Sequence, residues 1–159
     1  MEIVKVQLTP EEMLTAALVG ARRQVSAIAQ RRQDSWTNAD NPFEIHILGC
    51  MGELVAAKYF NLFWPDAVGI TTSHDVGGLL EVRTRRGGAM GIRANHKPDK
   101  PYLLIHADVE KSSFHLMGWL LGAEAWNVGR PCNGNPRLRF VDPDALRPTN
   151  ELSNVILVS

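Results

Sequence analysis

Three carboxylates have residue types and spacings that suit a divalent ion, and one arginine beside them suits a phosphate. Asp75 precedes Gly77-Gly78, a pair that allows a bend, and Glu81 follows on the strand-like run "LLEVRTRR". The bend can fold Asp75 back towards Glu81. Glu53 lies in "HILGCMGELVAAKYF", and its neighbours at i−4, i+3 and i+4 are Gly49, Ala56 and Ala57. None is a cation, so its own helix offers no ion pair. Such small neighbours let this face approach a sheet closely, which leaves a glutamate in a cleft and an ordinary surface glutamate equally open. Asp75, Glu81 and Glu53 together make an all-oxygen set suited to Mg²⁺ or Mn²⁺ rather than zinc. An ion of that kind ionises a water and neutralises charge on a phosphoryl group. Arg83 cannot give up its proton near neutral pH, but its planar fork suits a phosphate. The D-x5-E-x-R spacing is short and arises often by chance, so a charged hairpin accounts for the same residues.

The elements that must position these groups are legible from periodicity. A first helix is expected from about Pro10 to Arg32, with Thr9 as N-cap, Pro10 at the first position and Glu12 closing a capping box. Leu14, Ala17, Leu18, Ala21, Val25 and Ile28 fall on one stripe, opposite Arg22, Arg23 and Gln30. That stripe suits either the core or a homodimer surface. Asn41-Pro42 starts a second helix running to about Asn61, with Ile45, Leu48, Val55 and Tyr59 as its apolar face. Strands are expected near Val68–Thr72, Leu79–Arg86, Ala89–Asn95, Tyr102–Asp108 and Ser113–Leu121. "RRGG" and "VEKSS" read as the turns of two successive hairpins, and "YLLIHA" as a doubly buried central strand. Beyond them come a strand near Arg137–Val141, a helical turn at "DPDALRP" and a last strand "NVILV". Helices first and a mainly antiparallel sheet after indicate one α+β domain over residues 1–159. In "LLEVRTRR", alternation sends Glu81, Arg83 and Arg85 to one face and Leu80, Val82 and Thr84 to the other.

The charge balance is even, with 17 Lys and Arg against 17 Asp and Glu, so the whole molecule gives no argument for a polyanion. Between Glu81 and Lys100, however, six cations (Arg83, Arg85, Arg86, Arg93, Lys97 and Lys100) face only Glu81 and Asp99. This patch suits phosphate, and it equally suits a solvated rim. No apolar run has the length of a membrane span. Two cysteines are too few for a disulfide framework and fit a reducing cytoplasm. His46 and Cys50 lack a companion pair for a metal, and His106 and His115 sit in apolar strands as packed or hydrogen-bonded groups. His74 and His96 flank the expected cleft as phosphate contacts or proton carriers. Trp36, in a polar loop, is the tryptophan suited to a partner surface.

The order of these pieces resembles the PD-(D/E)xK nuclease superfamily with its restriction-endonuclease-like core, and most of all its small phage and prophage members. A G-x-x-G-E helix, an aspartate at a bend, an E-x-basic strand and hairpin strands ending in "GWLLGAEAW" carry the resemblance from roughly Glu44 to Trp126. It implies that Glu53 is the helix carboxylate, Asp75 the metal-binding aspartate, Glu81 the acidic member of E-x-K and the Val82 carbonyl a main-chain metal ligand. It implies Mg²⁺- or Mn²⁺-dependent hydrolysis of DNA, with Arg85, Arg86, Arg93 and Lys97 gripping the backbone. Arg83 stands where the family usually has lysine, so it stabilises charge without acting as a base, and Lys97, in "RANHKPDK" after the next strand, is a candidate for the lysine's role. The rival expectations are a nuclease-shaped DNA-binding module without catalysis and a phage structural or assembly protein.

Overall fold

The computed structural model of the chain describes residues 3–31, 41–65 and 76–157. In order, the elements are β1 (Val4–Gln7), α1 (Pro10–Ala29), α2 (Pro42–Phe60), β2 (Glu81–Arg85), β3 (Met90–Arg93), β4 (Pro101–Asp108), β5 (Ser113–Leu121), α3 (Gly122–Val128), β6 (Arg130–Cys132), β7 (Asn135–Val141) and α4 (Thr149–Leu157). The α+β class is as expected. One sheet has the order β1-β5-β4-β2 and the other β3-β7-β6. In the first sheet β2 runs parallel to β4, while β4–β5 and β1–β5 are antiparallel, so it is mixed. Strand β4, the expected "YLLIHA" run, is central and buried along most of its length. The helices α1, α2 and α4 build one core on one face of this sheet, where Val55, Leu103, Ile105 and Leu152 are sealed from solvent. The opposite face packs Tyr102 and Leu104 against Met90, Ile92, Ala125 and Val141, from β3, α3 and β7.

Both ends of the α1 start signal are met: Thr9 Oγ1 accepts from the Glu12 amide at 3.2 Å and Glu12 accepts from the Thr9 amide at 2.8 Å. The orientation of α1 differs from the hydrophobic reading. Ala16, Val19, Gly20, Arg23, Gln24 and Ala27 face inward, whereas Leu14, Leu18, Val25 and Ile28 are 61%, 50%, 56% and 57% exposed. The reason is the closeness of the helix pair. A Cβ on Gly20 would lie 2.5 Å from the Ile47 Cα, so only small side chains fit the crossing and the bulky ones turn outward. In the same way α2 presses on β2 through Gly52, where a Cβ would overlap the Thr84 hydroxyl.

Three expected strand assignments change. The "RRGG" segment does not close a hairpin, because β2 pairs with β4 and β3 with β7. A glycine turn fixes only a change of direction, and Met90 and Ile92 find their burial in the second core instead. The run "NVILV" belongs to α4, whose Leu152 and Ile156 are one helical turn apart and buried. "GAEAW" forms α3 rather than the end of a strand. The "VEKSS" hairpin does form, through a 3₁₀ turn at Val109–Lys111, and "DPDALRP" contains the expected turn at Pro143–Ala145. The expected strand Val68–Thr72 lies outside the described residues. Among those described, no helix is long and apolar enough to cross a membrane.

Candidate functional site

Thr84 points into the α2 layer, so alternation along β2 brings Glu81, Arg83 and Arg85 out on the opposite face. There Glu81 stands beside Tyr102 and Arg83 beside Leu104 across the parallel ladder. Glu81 is a buried carboxylate, 8% exposed, and two cations meet it. Lys97 Nζ donates to Oε1 at 2.8 Å and Arg83 Nη1 donates to Oε2 at 3.3 Å. The same Arg83 nitrogen also donates to the Val82 carbonyl at 3.2 Å. A carboxylate oxygen and a main-chain carbonyl thus converge on one point, which a guanidinium nitrogen fills. The Tyr102 ring supports that guanidinium, with the Arg83 Cζ 4.9 Å from its centroid.

The loop before β4 brings Lys97 to this point, and it is tied at several places. Tyr102 Oη accepts from the Lys97 amide at 2.9 Å, while the Gly122 and Ala123 amides at the start of α3 donate to the Lys100 and Pro98 carbonyls. Gly122 is pressed so close to the Lys97 carbonyl that a Cβ there has no room. Lys100 Nζ in turn donates to the Gly78 carbonyl. Burial pushes the Tyr102 hydroxyl above its ordinary pKa, so it stays a neutral donor and acceptor. Burial first, and the neighbouring Arg83 charge second, lower the Arg93 pKa, placing another cation close to the cluster. His96 is held by its Nδ1 against the Arg93 carbonyl at 2.9 Å and stacks on Trp126.

Glu53 belongs to a different neighbourhood. Its oxygens receive Arg23 Nη1 and Nη2 at 2.9 and 3.0 Å, a bidentate pair, and Trp64 Nε1 at 3.1 Å. This node lies in the helical layer, on the far side of the sheet from Glu81. The structure therefore brings together Glu81, the Val82 carbonyl, Arg83 and Lys97, and does not bring Glu53 to them. Asp75 and His74 lie outside the described residues, as does Trp36. Among the described residues, no three His, Cys, Asp or Glu side chains cluster as a metal would need. Arg85 donates to the Ala89 carbonyl at 2.8 Å and lies over Phe140. Arg86 is held by Glu44 and Glu110, and these carboxylates, Glu44 first, raise its pKa.

Three contributors escaped the sequence reading: Arg23, Trp64 and Tyr102. For Arg23 a signal existed. Ala16, Val19, Gly20, Arg23 and Ala27 form a second, small-residue stripe at helical spacing, and it is the one that packs. Tyr102 opens the most apolar run of the chain, which hides the function of its hydroxyl. No family model matches the chain, and no curated protein or solved structure matches it either.

Proposed function

We propose that the chain binds DNA by its phosphates and hydrolyses a phosphodiester bond at a divalent-metal site built on Glu81, within a restriction-endonuclease-like core. One observation supports this reading above the others: Arg83 Nη1 touches both Glu81 Oε2 and the Val82 carbonyl. Those are the oxygens that the PD-(D/E)xK resemblance assigns to a metal, and they already converge on a cationic atom. The donor set is hard oxygen and so fits Mg²⁺ or Mn²⁺, with Asp75 as the further carboxylate. When bound, the ion supplies an ionised water and neutralises charge on the phosphoryl group. Lys97 holds Glu81 Oε1 in place and brings to Glu81 the lysine that position 83 lacks. Arg83, released from the two oxygens, turns its fork to the phosphate and stabilises negative charge there. Arg93 and Arg85 extend the cationic face along the backbone. Glu53 supports the reading only as a brace for the helix pair behind β2.

The same contact favours a second reading, a nuclease-shaped binding module in which Arg83 stands permanently in place of the metal. Cleavage of supercoiled, linear, branched and single-stranded DNA with Mg²⁺ or Mn²⁺ separates the two. The hydrolytic reading expects wild type to cut at least one form, and Glu81→Gln and Asp75→Asn to cut none. Arg83→Ala should cut roughly 10²–10³-fold more slowly, the scale for removal of one preorganised charge-stabilising donor. If wild type is inert on every form while Arg83→Lys cuts, the binding module is correct.

A further inference from the structure

We infer that the exposed face of α1 is the contact surface for a second copy of this chain, paired antiparallel. The inference is independent of the hydrolytic reading. Leu14, Leu18, Ala21, Val25 and Ile28 recur at alternating spacings of four and three, the repeat of a two-helix seam. Such a seam is ordinarily buried, yet here the four larger side chains are each at least half exposed and the inward face of α1 is already committed to α2. A seam with this repeat is complementary to itself, which favours a second copy over an unrelated partner.

Charge along the helix sets the direction. The first turn carries Glu11, one turn before Leu14 on the same seam, and the far end carries exposed Arg31 just beyond the cap. A parallel pair would set Glu11 against Glu11 and Arg31 against Arg31. An antiparallel pair about a two-fold axis near Ala21 sets Leu14 by the partner's Ile28, Leu18 by the partner's Val25 and Glu11 by the partner's Arg31. It also opposes the two helix dipoles. Ala17 and Ala21 at the centre leave room for the helices to approach.

Analytical ultracentrifugation of the full chain tests the assignment, with circular dichroism and the thermal transition confirming that each variant is folded. Wild type should sediment at twice the chain mass. Leu18→Glu and Val25→Glu change only exposed positions, so both should be folded monomers. Glu11→Arg should weaken the dimer at least tenfold, and Glu11→Arg with Arg31→Glu should restore it. A monomeric wild type at hundreds of micromolar, or a dimer indifferent to Leu18→Glu and Val25→Glu, overturns the surface. A dimer that Glu11→Arg leaves unchanged overturns the antiparallel pairing.

Discussion

Arg23 and Glu53 are only 7% and 12% exposed, and each satisfies the other with two hydrogen bonds. Removal of one partner leaves a buried charge without its counter-ion, which costs about 3–5 kcal/mol. Arg23→Ala should therefore lower the unfolding free energy by that amount in urea. Arg23→Met with Glu53→Leu should recover most of it, since the pair is replaced by apolar groups of similar volume. Should Glu53→Gln leave stability untouched and abolish Mn²⁺ binding, Glu53 is a metal ligand after all. Its carboxylate was legible in the sequence, but its partner was not. Helical spacing tests only neighbours on the same helix, and Arg23 arrives from another one, thirty positions earlier. Lys97 was legible as a candidate, but its reach to Glu81 was not: sixteen positions and strand β3 separate the two, and the loop tied to α3 decides where Lys97 lands.

The start of α1 shows what an element's own residues can specify. Thr9, Pro10 and Glu12 act within one turn, so the capping box was readable before any tertiary contact was known. Glu12 also accepts from Lys58 Nζ at 2.8 Å, and this bond, more than the backbone contact at Thr9, lowers its pKa below the ordinary 4.5. A carboxyl favoured as the anion in the folded state contributes above its unfolded pKa and loses that contribution as pH falls through the lower folded value. Glu12→Gln keeps an acceptor for the Thr9 amide, so it should cost at most about 1 kcal/mol at pH 7, from the lost half-exposed ion pair with Lys58. The gap between variant and wild type should close as pH is taken from about 5 to 3 in urea titrations. A gap that stays constant with pH would show that the charge plays no part. The facing of α1 was not readable, because hydrophobicity ranked Leu14 and Leu18 above Ala16 and Gly20. The tight crossing at Ile47 reverses that order. Pairing of β2 with β4 was hidden likewise, since a parallel partner is chosen by distant burial and not by the glycines that follow β2.

At the scale of the whole molecule, charge is balanced and any grip on DNA must come from where the cations are left uncompensated. Arg86 meets Glu44 and Glu110, whereas Arg85 meets a carbonyl and an aromatic ring. These neighbouring arginines should therefore behave differently. Arg85→Ala should reduce the log–log salt slope of duplex binding by about 0.9, the value of one phosphate contact, and Arg86→Ala should leave it nearly unchanged. Equal effects from the two would mean that the acidic partners release Arg86 when DNA arrives. The two cores explain why one face of the central sheet can carry this chemistry. Helices α1, α2 and α4 seal the other face, while β3, β7 and α3 pack on the face that carries Glu81 and Tyr102.

In the proposed site, Glu81 and the Val82 carbonyl form a cation position that Arg83 fills from within. Mn²⁺ binding, followed by calorimetry on wild type, Glu81→Gln and Arg83→Ala without DNA, tests it most directly. Wild type should bind Mn²⁺ measurably, and Glu81→Gln should lose that binding. Binding to Arg83→Ala should be at least tenfold tighter, because the ion no longer displaces a guanidinium held by two oxygens. Equal Mn²⁺ affinity in wild type and Glu81→Gln, or weaker binding in Arg83→Ala, would contradict it.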